Sequence, residues 1–158
     1  GYGKSSGNIS SEFQLQQDAK AVLLAAKNRF PEHRLVFYGR SIGTGIASWL
    51  ATQQTPSLLI LESPYFNLPY LVSGIYPFVP KVLVKYKLKN NEHIKELNIP
   101  IHLIHGTNDE LIPFHHSELL ARESERTQLH PIKDAGHNDL SLFSDYHKII
   151  RKLLSSVK

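Results

Sequence analysis

The sequence contains no cysteine and no methionine, and no apolar run approaches membrane-spanning length. The first absence excludes disulfides, thiolate metal sites and a cysteine nucleophile, and it leaves the redox compartment open. The second means that Gly1 is not a translational start, so further sequence is expected upstream and the chain is read as a fragment. The third excludes a transmembrane helix, which needs about 18–20 consecutive apolar residues. Charge of one sign is also scarce. A net charge of +4, scattered along the chain, offers no nucleic-acid surface. The densest basic cluster, Lys81, Lys85, Lys87 and Lys89, alternates with apolar residues and reads as a solvated face in preference to a phosphate or membrane contact. No signal peptide is visible, which favours a cytoplasmic or membrane-associated place over secretion. Membrane association is expected only through an upstream segment, and the oligomeric state stays open.

What is present is ordinary for one globular domain. The 158 residues are 41% hydrophobic and 20% charged, enough to bury a core. Ser11-Glu12-Phe13-Gln14 has capping-box spacing. Leu15, Ala19, Val22, Leu23 and Ala26 follow on one helical face, which ends before Pro31. Leu35–Tyr38 reads as a buried strand, and Ile42, Ile46, Trp49 and Leu50 keep one face of a second helix apolar. Leu58–Leu61, Ile101–Ile104 and Gln128–Ile132 read as further strands, with a helix from Pro113 to about Glu123. A last helix buries Phe143, Tyr146, Ile149, Ile150, Leu153 and Leu154. Strands alternating with helices imply a mostly parallel sheet between helical layers, a three-layer α/β fold occupying residues 1–158 as one domain.

Residues 63–97 break this rhythm. Four prolines stand among Tyr65, Phe66, Tyr70, Tyr76 and Phe78, in a long connection leaving the C-terminal end of a strand. That placement suits a cap-like insertion over an apolar ligand site, the alternative being a packed connection with no substrate contact.

The chemistry begins at Gly39-Arg40-Ser41-Ile42-Gly43, a G-x-S-x-G pattern between a strand and a helix. Such a turn strains the serine backbone and lifts its hydroxyl above the sheet. Side chains two positions to either side would collide, hence glycine at both. The Ile42 amide, at a helix N-terminus, is placed to face a developing oxyanion. A serine hydroxyl needs a base, and the base needs a carboxylate to orient it. Asp109 follows the third strand and His137 the fourth, in the order Ser, Asp, His, so all three loops open at one sheet edge. Glu62, at the end of the second strand, is the strongest rival acid. Asp134 and Asp139 lie too close to His137 in sequence to orient it easily. Arg40, Tyr65 and Phe66 are expected substrate contacts.

The pieces Gly1–Gly7, Tyr38–Gly43, Leu61–Tyr65, His105–Asp109 with Ile112-Pro113, and Gly136–Asp139 together resemble one family. It is that of the α/β-hydrolase serine hydrolases related to the Bem46-like and depalmitoylating α/β-hydrolase-domain proteins. The resemblance runs from the first residue to about Leu154. It implies an α/β-hydrolase fold lacking its N-terminal strands, with Ser41 as nucleophile, Asp109 as acid and His137 as base. It implies further that Gly1-Tyr2-Gly3 follows a strand, and that the second oxyanion amide lies upstream. It implies action on esters, thioesters or peptides, on a small-molecule or acylated substrate, with no cofactor.

Two other patterns carry less. Gly3-Lys4-Ser5 resembles the end of a phosphate-binding loop whose first glycine would precede residue 1. Nine histidines invite a metal site, but His102 and His105 should face opposite sides of a strand. His115 and His116 cannot share a helix face. No metal is expected.

Overall fold

The computed structural model describes Lys4 and residues 6–157. The loop read at Gly1-Tyr2-Gly3 and most of the Gly3-Lys4-Ser5 pattern lie outside the described residues. Four strands, β1 (Val36–Arg40), β2 (Leu58–Glu62), β3 (Ile101–Gly106) and β4 (Thr127–Ile132), form one sheet in sequence order. Every neighbouring pair is parallel. Between and around them run α1 (Glu12–Arg29), α2 (Gly43–Gln53), α3 (Leu68–Ile75), α4 (Asn90–Glu96), α5 (His115–Ala121) and α6 (Ser144–Ser156).

The sheet is buried on both faces, which is why its central strands are continuous apolar runs rather than alternating ones. Leu59, Leu61, Ile101 and Leu103 pack with Leu23 of α1, Ala51 of α2, Ile94 of α4 and Leu120 of α5. On the other face Leu58, Ile60, Ile104 and Ile132 pack beneath Leu153 of α6. The result is the expected three-layer architecture, with most helices on one side.

Local sequence explains the helix ends. Ser11 Oγ accepts the Gln14 amide at 3.1 Å. The Gln14 side chain, however, turns back to the amide and hydroxyl of Ser10 at 2.9 and 2.7 Å, one residue earlier than a capping box places it. Asn67 caps α3 by accepting the Tyr70 amide at 2.8 Å.

Four expectations need correction. β1 is an edge strand of the sheet with Tyr38 half-exposed, not a buried one. Only Leu23 of the predicted α1 face is buried, and Val22 is 70% exposed. Apolar residues of α1, β1 and α2 instead line an open groove of about 800 Å³ alongside β1. Leu154 of α6 is exposed as well. Finally, residues 63–97 are not one covering element. α3 and a 3₁₀ turn at Lys81–Leu83 contribute no buried residue, whereas α4 belongs to the core. A buried polar network fixes α4 against α2: Asn90 Nδ2 donates to Thr44 Oγ1 and the Tyr65 carbonyl, and Ser48 Oγ donates to Asn90 Oδ1.

Candidate active site

Parallel strands bring their following loops to one edge, and three such loops meet here. β1 runs into Ser41, whose φ of 51° lies in the left-handed region that non-glycine residues rarely occupy. Two backbone bonds hold the turn: the Ser41 amide donates to the Glu62 carbonyl at 2.9 Å, and the Thr44 amide donates to the Ser41 carbonyl at 3.0 Å. A Cβ on Gly39 would sit 2.7 Å from Ala47 Cβ and 2.8 Å from the Gly43 carbonyl oxygen, so glycine is required there. Gly43 differs from expectation. A Cβ there would meet nothing within 4 Å, because that position lines the open groove beside β1.

The loops after β3 and β4 approach each other through Gly106, where a Cβ would strike the Ala135 carbonyl. The Asn108 amide donates to the Ala135 carbonyl at 2.9 Å, and the Asp134 amide donates to Thr107 Oγ1 at 2.9 Å. So joined, the loops bring Asp109 Oδ2 to 2.7 Å from His137 Nδ1. His137 Nε2 in turn lies 3.0 Å from Ser41 Oγ. The partners set the tautomer: a carboxylate on Nδ1 places the ring hydrogen there, leaving Nε2 to accept from the serine hydroxyl. Asp109 and His137 are both buried.

A second histidine, missed as a site residue by the sequence reading, stands behind the carboxylate. The fully buried His105 has Nε2 at 3.1 Å from Asp109 Oδ2 and 2.9 Å from the Ile112 carbonyl oxygen. Both are acceptors, so Nε2 carries the hydrogen, and Nδ1 accepts from Ser117 Oγ at 2.6 Å. Asp109 Oδ1 takes the Leu111 and Ile112 amides at 3.0 and 2.8 Å. Burial pushes the Asp109 carboxyl upward, but hydrogen bonds from His105, the Ile112 amide and His137 outweigh it. The carboxyl is held below the usual carboxylate range. The four-residue spacing of His105 and Asp109 across a strand end was the available signal.

The rival acids are engaged elsewhere. Glu62 accepts from Arg40 Nε at 2.9 Å, from Tyr146 Oη at 2.8 Å and from the Tyr38 hydroxyl. Burial, then the bond to Glu62, raises the Tyr38 phenol above its usual range. Asp139 accepts the Gly136 amide at 2.7 Å and shapes the turn before His137.

The expected substrate contacts are largely redirected. Arg40 Nη2 donates to the His137 carbonyl and to Asn138 Oδ1, both at 2.9 Å, so Arg40 ties Glu62 to the loop of the histidine. Tyr65 is fully buried and donates to the Ile42 carbonyl at 3.1 Å, beneath the start of α2. Phe66 is partly buried against the main core. The Ile42 side chain is exposed, and the residue stands at the N-cap of α2. Of the histidine pairs, His102 and His105 do face opposite ways: His102 Nδ1 hydrogen-bonds with His130 Nε2 at 2.8 Å, and the two rings stack with centroids 5.1 Å apart, away from Asp109. Among the described residues no three His, Asp or Glu side chains gather as a metal site.

A family model described as "Alpha/beta hydrolase domain" matches residues 10–147. The chain belongs to the alpha/beta hydrolase domain family. Alpha/beta hydrolase domain-containing protein 17B of Homo sapiens is 34% identical over 98% of this chain and 54% of its own length. The related protein 17C of Mus musculus is 32% identical over 98% of this chain and 48% of its own length. The chain therefore spans about half the length of the curated relatives it matches. Among solved structures, the Pyrococcus furiosus esterase PF2001 aligns with a TM-score of 0.76 at 18% identity, covering 98% of this chain and 66% of that one. An alpha-beta serine hydrolase homologue from Coxiella burnetii aligns at 0.69 and 20% identity, covering all of this chain and 65% of that one. At such identities these likenesses show the fold alone, and it is the α/β-hydrolase fold.

Proposed function

We propose that this chain carries the reacting residues of a serine hydrolase that cleaves a carboxylic ester, thioester or amide through an acyl-enzyme on Ser41. The observation that carries the reading is the unbroken line Ser41 Oγ, His137 Nε2, His137 Nδ1, Asp109 Oδ2, with links of 3.0 and 2.7 Å. Ser41 Oγ attacks the acyl carbon while His137 Nε2 takes its proton. Asp109 holds the ring in the tautomer this requires and stabilises the imidazolium. The tetrahedral intermediate collapses as His137 returns the proton to the departing alcohol, thiol or amine. A water then gives its proton to His137 and attacks the acyl carbon, and Ser41 Oγ departs and recovers the proton. The Ile42 amide at the start of α2 supplies one oxyanion donor. The reaction needs no metal or cofactor.

The cleft between α3 and the Asp109 loop, about 550 Å³, supports a substrate-covering role for the first part of residues 63–97. Tyr70, Leu71, Ile75, Leu111 and Pro113 line it beside polar Glu110, His115 and His116. Its apolar share favours a medium or long acyl chain. The test is hydrolysis of aryl esters and acyl thioesters of increasing length by the chain and its Ser41→Ala variant. A loss of about 10⁴- to 10⁶-fold on substitution supports the assignment, and a loss below tenfold refutes it.

A second reading, a binding module or a piece inactive by itself, draws on the open groove beside β1 and on the single identified oxyanion donor. Losing one such donor alone lowers rate about 10²- to 10³-fold. The ester assay separates the two readings, since a module leaves esters untouched.

A further inference from the structure

The residues from Ser63 to Asn91 contain four lysines and neither aspartate nor glutamate. The structure gives this bias a shape. After α3 the chain makes two consecutive tight turns, the Val79 amide donating to the Tyr76 carbonyl and the Leu83 amide to the Pro80 carbonyl. Pro77 and Pro80 stiffen the tip by fixing φ. The tip holds its apolar side chains out: Phe78 is 97% exposed, Val82 80%, Leu83 71% and Tyr76 60%. A phenylalanine held outward between two prolines has no packing role in this fold.

The lysines flank that apolar tip. Lys81 Nζ lies over the Tyr70 ring at 5.4 Å, and Lys87 Nζ donates to the carbonyls of Lys81 and Val82 at 3.2 and 3.4 Å. Lys85 is exposed, with its ammonium over the Tyr86 ring at 5.3 Å. Lys89 differs, being paired with Glu92 at 2.9 Å. The nearby acid of α1, Glu12, is occupied by the Lys87 and Leu88 amides.

We propose that this tip, Tyr76 to Lys87, is a contact surface for an anionic phospholipid bilayer. Phe78, Val82 and Leu83 enter the headgroup–acyl boundary, and Lys81, Lys85 and Lys87 meet the lipid phosphates and carboxylates. Apolar side chains framed by lysines, in a segment that has no aspartate or glutamate of its own, match both layers of such an interface. A protein partner with an acidic surface would satisfy the lysines but leave an outward phenylalanine and two aliphatic side chains to be matched separately. The tip also continues directly from α3, one wall of the cleft beside the Asp109 loop. Ile75 at the end of α3 and Leu111 beside Asp109 are both exposed and line the same cleft. The contact itself does not rest on the hydrolase reading.

The test is co-sedimentation of the chain with vesicles of phosphatidylcholine alone or with 30% phosphatidylserine, with structure followed by circular dichroism. The expected result is binding to the anionic vesicles, at least tenfold weaker to the zwitterionic ones and weakened by 0.5 M salt. Phe78→Ser with Val82→Ser should lower partitioning tenfold or more. Lys81→Gln with Lys85→Gln should lower it about 25-fold, about fivefold for each charge near the surface. All four positions are exposed, so the fold persists. Val22→Gln, in the groove beside β1, and Ser41→Ala should bind as the parent does, which separates this proposal from the hydrolase reading. Equal binding to both vesicle types, no binding to either, or patch variants that bind like the parent while Val22→Gln does not would each overturn the proposal.

Discussion

Replacing His105 by phenylalanine removes one donor from Asp109 without touching Ser41 or His137. The ring hydrogen on His105 Nε2 is shared between Asp109 Oδ2 at 3.1 Å and the Ile112 carbonyl oxygen at 2.9 Å, so the carboxylate loses part of a charge-assisted bond. Such bonds contribute about 1.5–3 kcal/mol, and a shared one belongs at the lower end, roughly a tenfold effect on a step that draws on the Asp109 charge. Stability falls further. The substitution leaves the Ser117 hydroxyl and the Ile112 carbonyl without this partner in a fully buried place, at about 1–3 kcal/mol each. Unfolding in urea should therefore register a loss of about 2–6 kcal/mol, and the second-order rate of fluorophosphonate labelling should fall about tenfold. Ser117→Ala provides the contrast. It breaks only the Nδ1 contact, so it should lower stability by about 1 kcal/mol while labelling stays within about threefold. His105→Phe labelling as fast as the parent despite its lost stability would refute a link from His105 to the reacting groups.

Gly39→Ala should abolish or severely lower labelling, because its Cβ meets the Gly43 backbone, whereas Gly43→Ala should fold and react normally, gaining up to about 1 kcal/mol in helix α2 by urea denaturation. Asn90→Leu should lower stability by about 2–4 kcal/mol in the same assay, since Thr44, Ser48 and the Tyr65 carbonyl lose a buried partner together. Burial, reinforced by His130 and Lys152, holds His102 down at about 4, and burial with His115 and His105 does the same for His116. Unfolded histidine titrates near about 6.5, so the unfolded chain binds more protons below that pH. These neutral histidines thus stabilise the fold above about pH 6.5, and the contribution is lost as pH falls toward 4. Urea midpoints should drop across that window, and drop less for His102→Asn with His116→Gln.

Much of this architecture is legible in the sequence because parallel strands buried on both faces must be apolar throughout. Leu58–Leu61 and Ile101–Ile104 say so directly, and the loops after β3 and β4 locate Asp109 and His137. Ser41 is legible from its glycine at position 39. What escaped had physical reasons. His105 looks like one more strand residue, since the bond that matters closes only when β3 ends and the chain turns back to Asp109. Tyr65, an aromatic residue beside a site, is as compatible with a substrate contact as with packing, and only its bond to the Ile42 carbonyl decides for packing. Arg40 depended on a partner in another loop, Asn138, and on the backbone of His137. The face of α1 was correctly apolar, but whether an apolar face is covered is a tertiary fact, and here Val22 borders an open groove.

The most direct test of the central claim is intact-mass analysis of the folded chain and its Ser41→Ala variant after exposure to a fluorophosphonate. A single adduct on the parent, approaching one per chain and absent from Ser41→Ala, is the predicted result. Labelling that persists in Ser41→Ala, or none on a folded parent chain, would contradict the claim that Ser41, His137 and Asp109 form a working nucleophilic site.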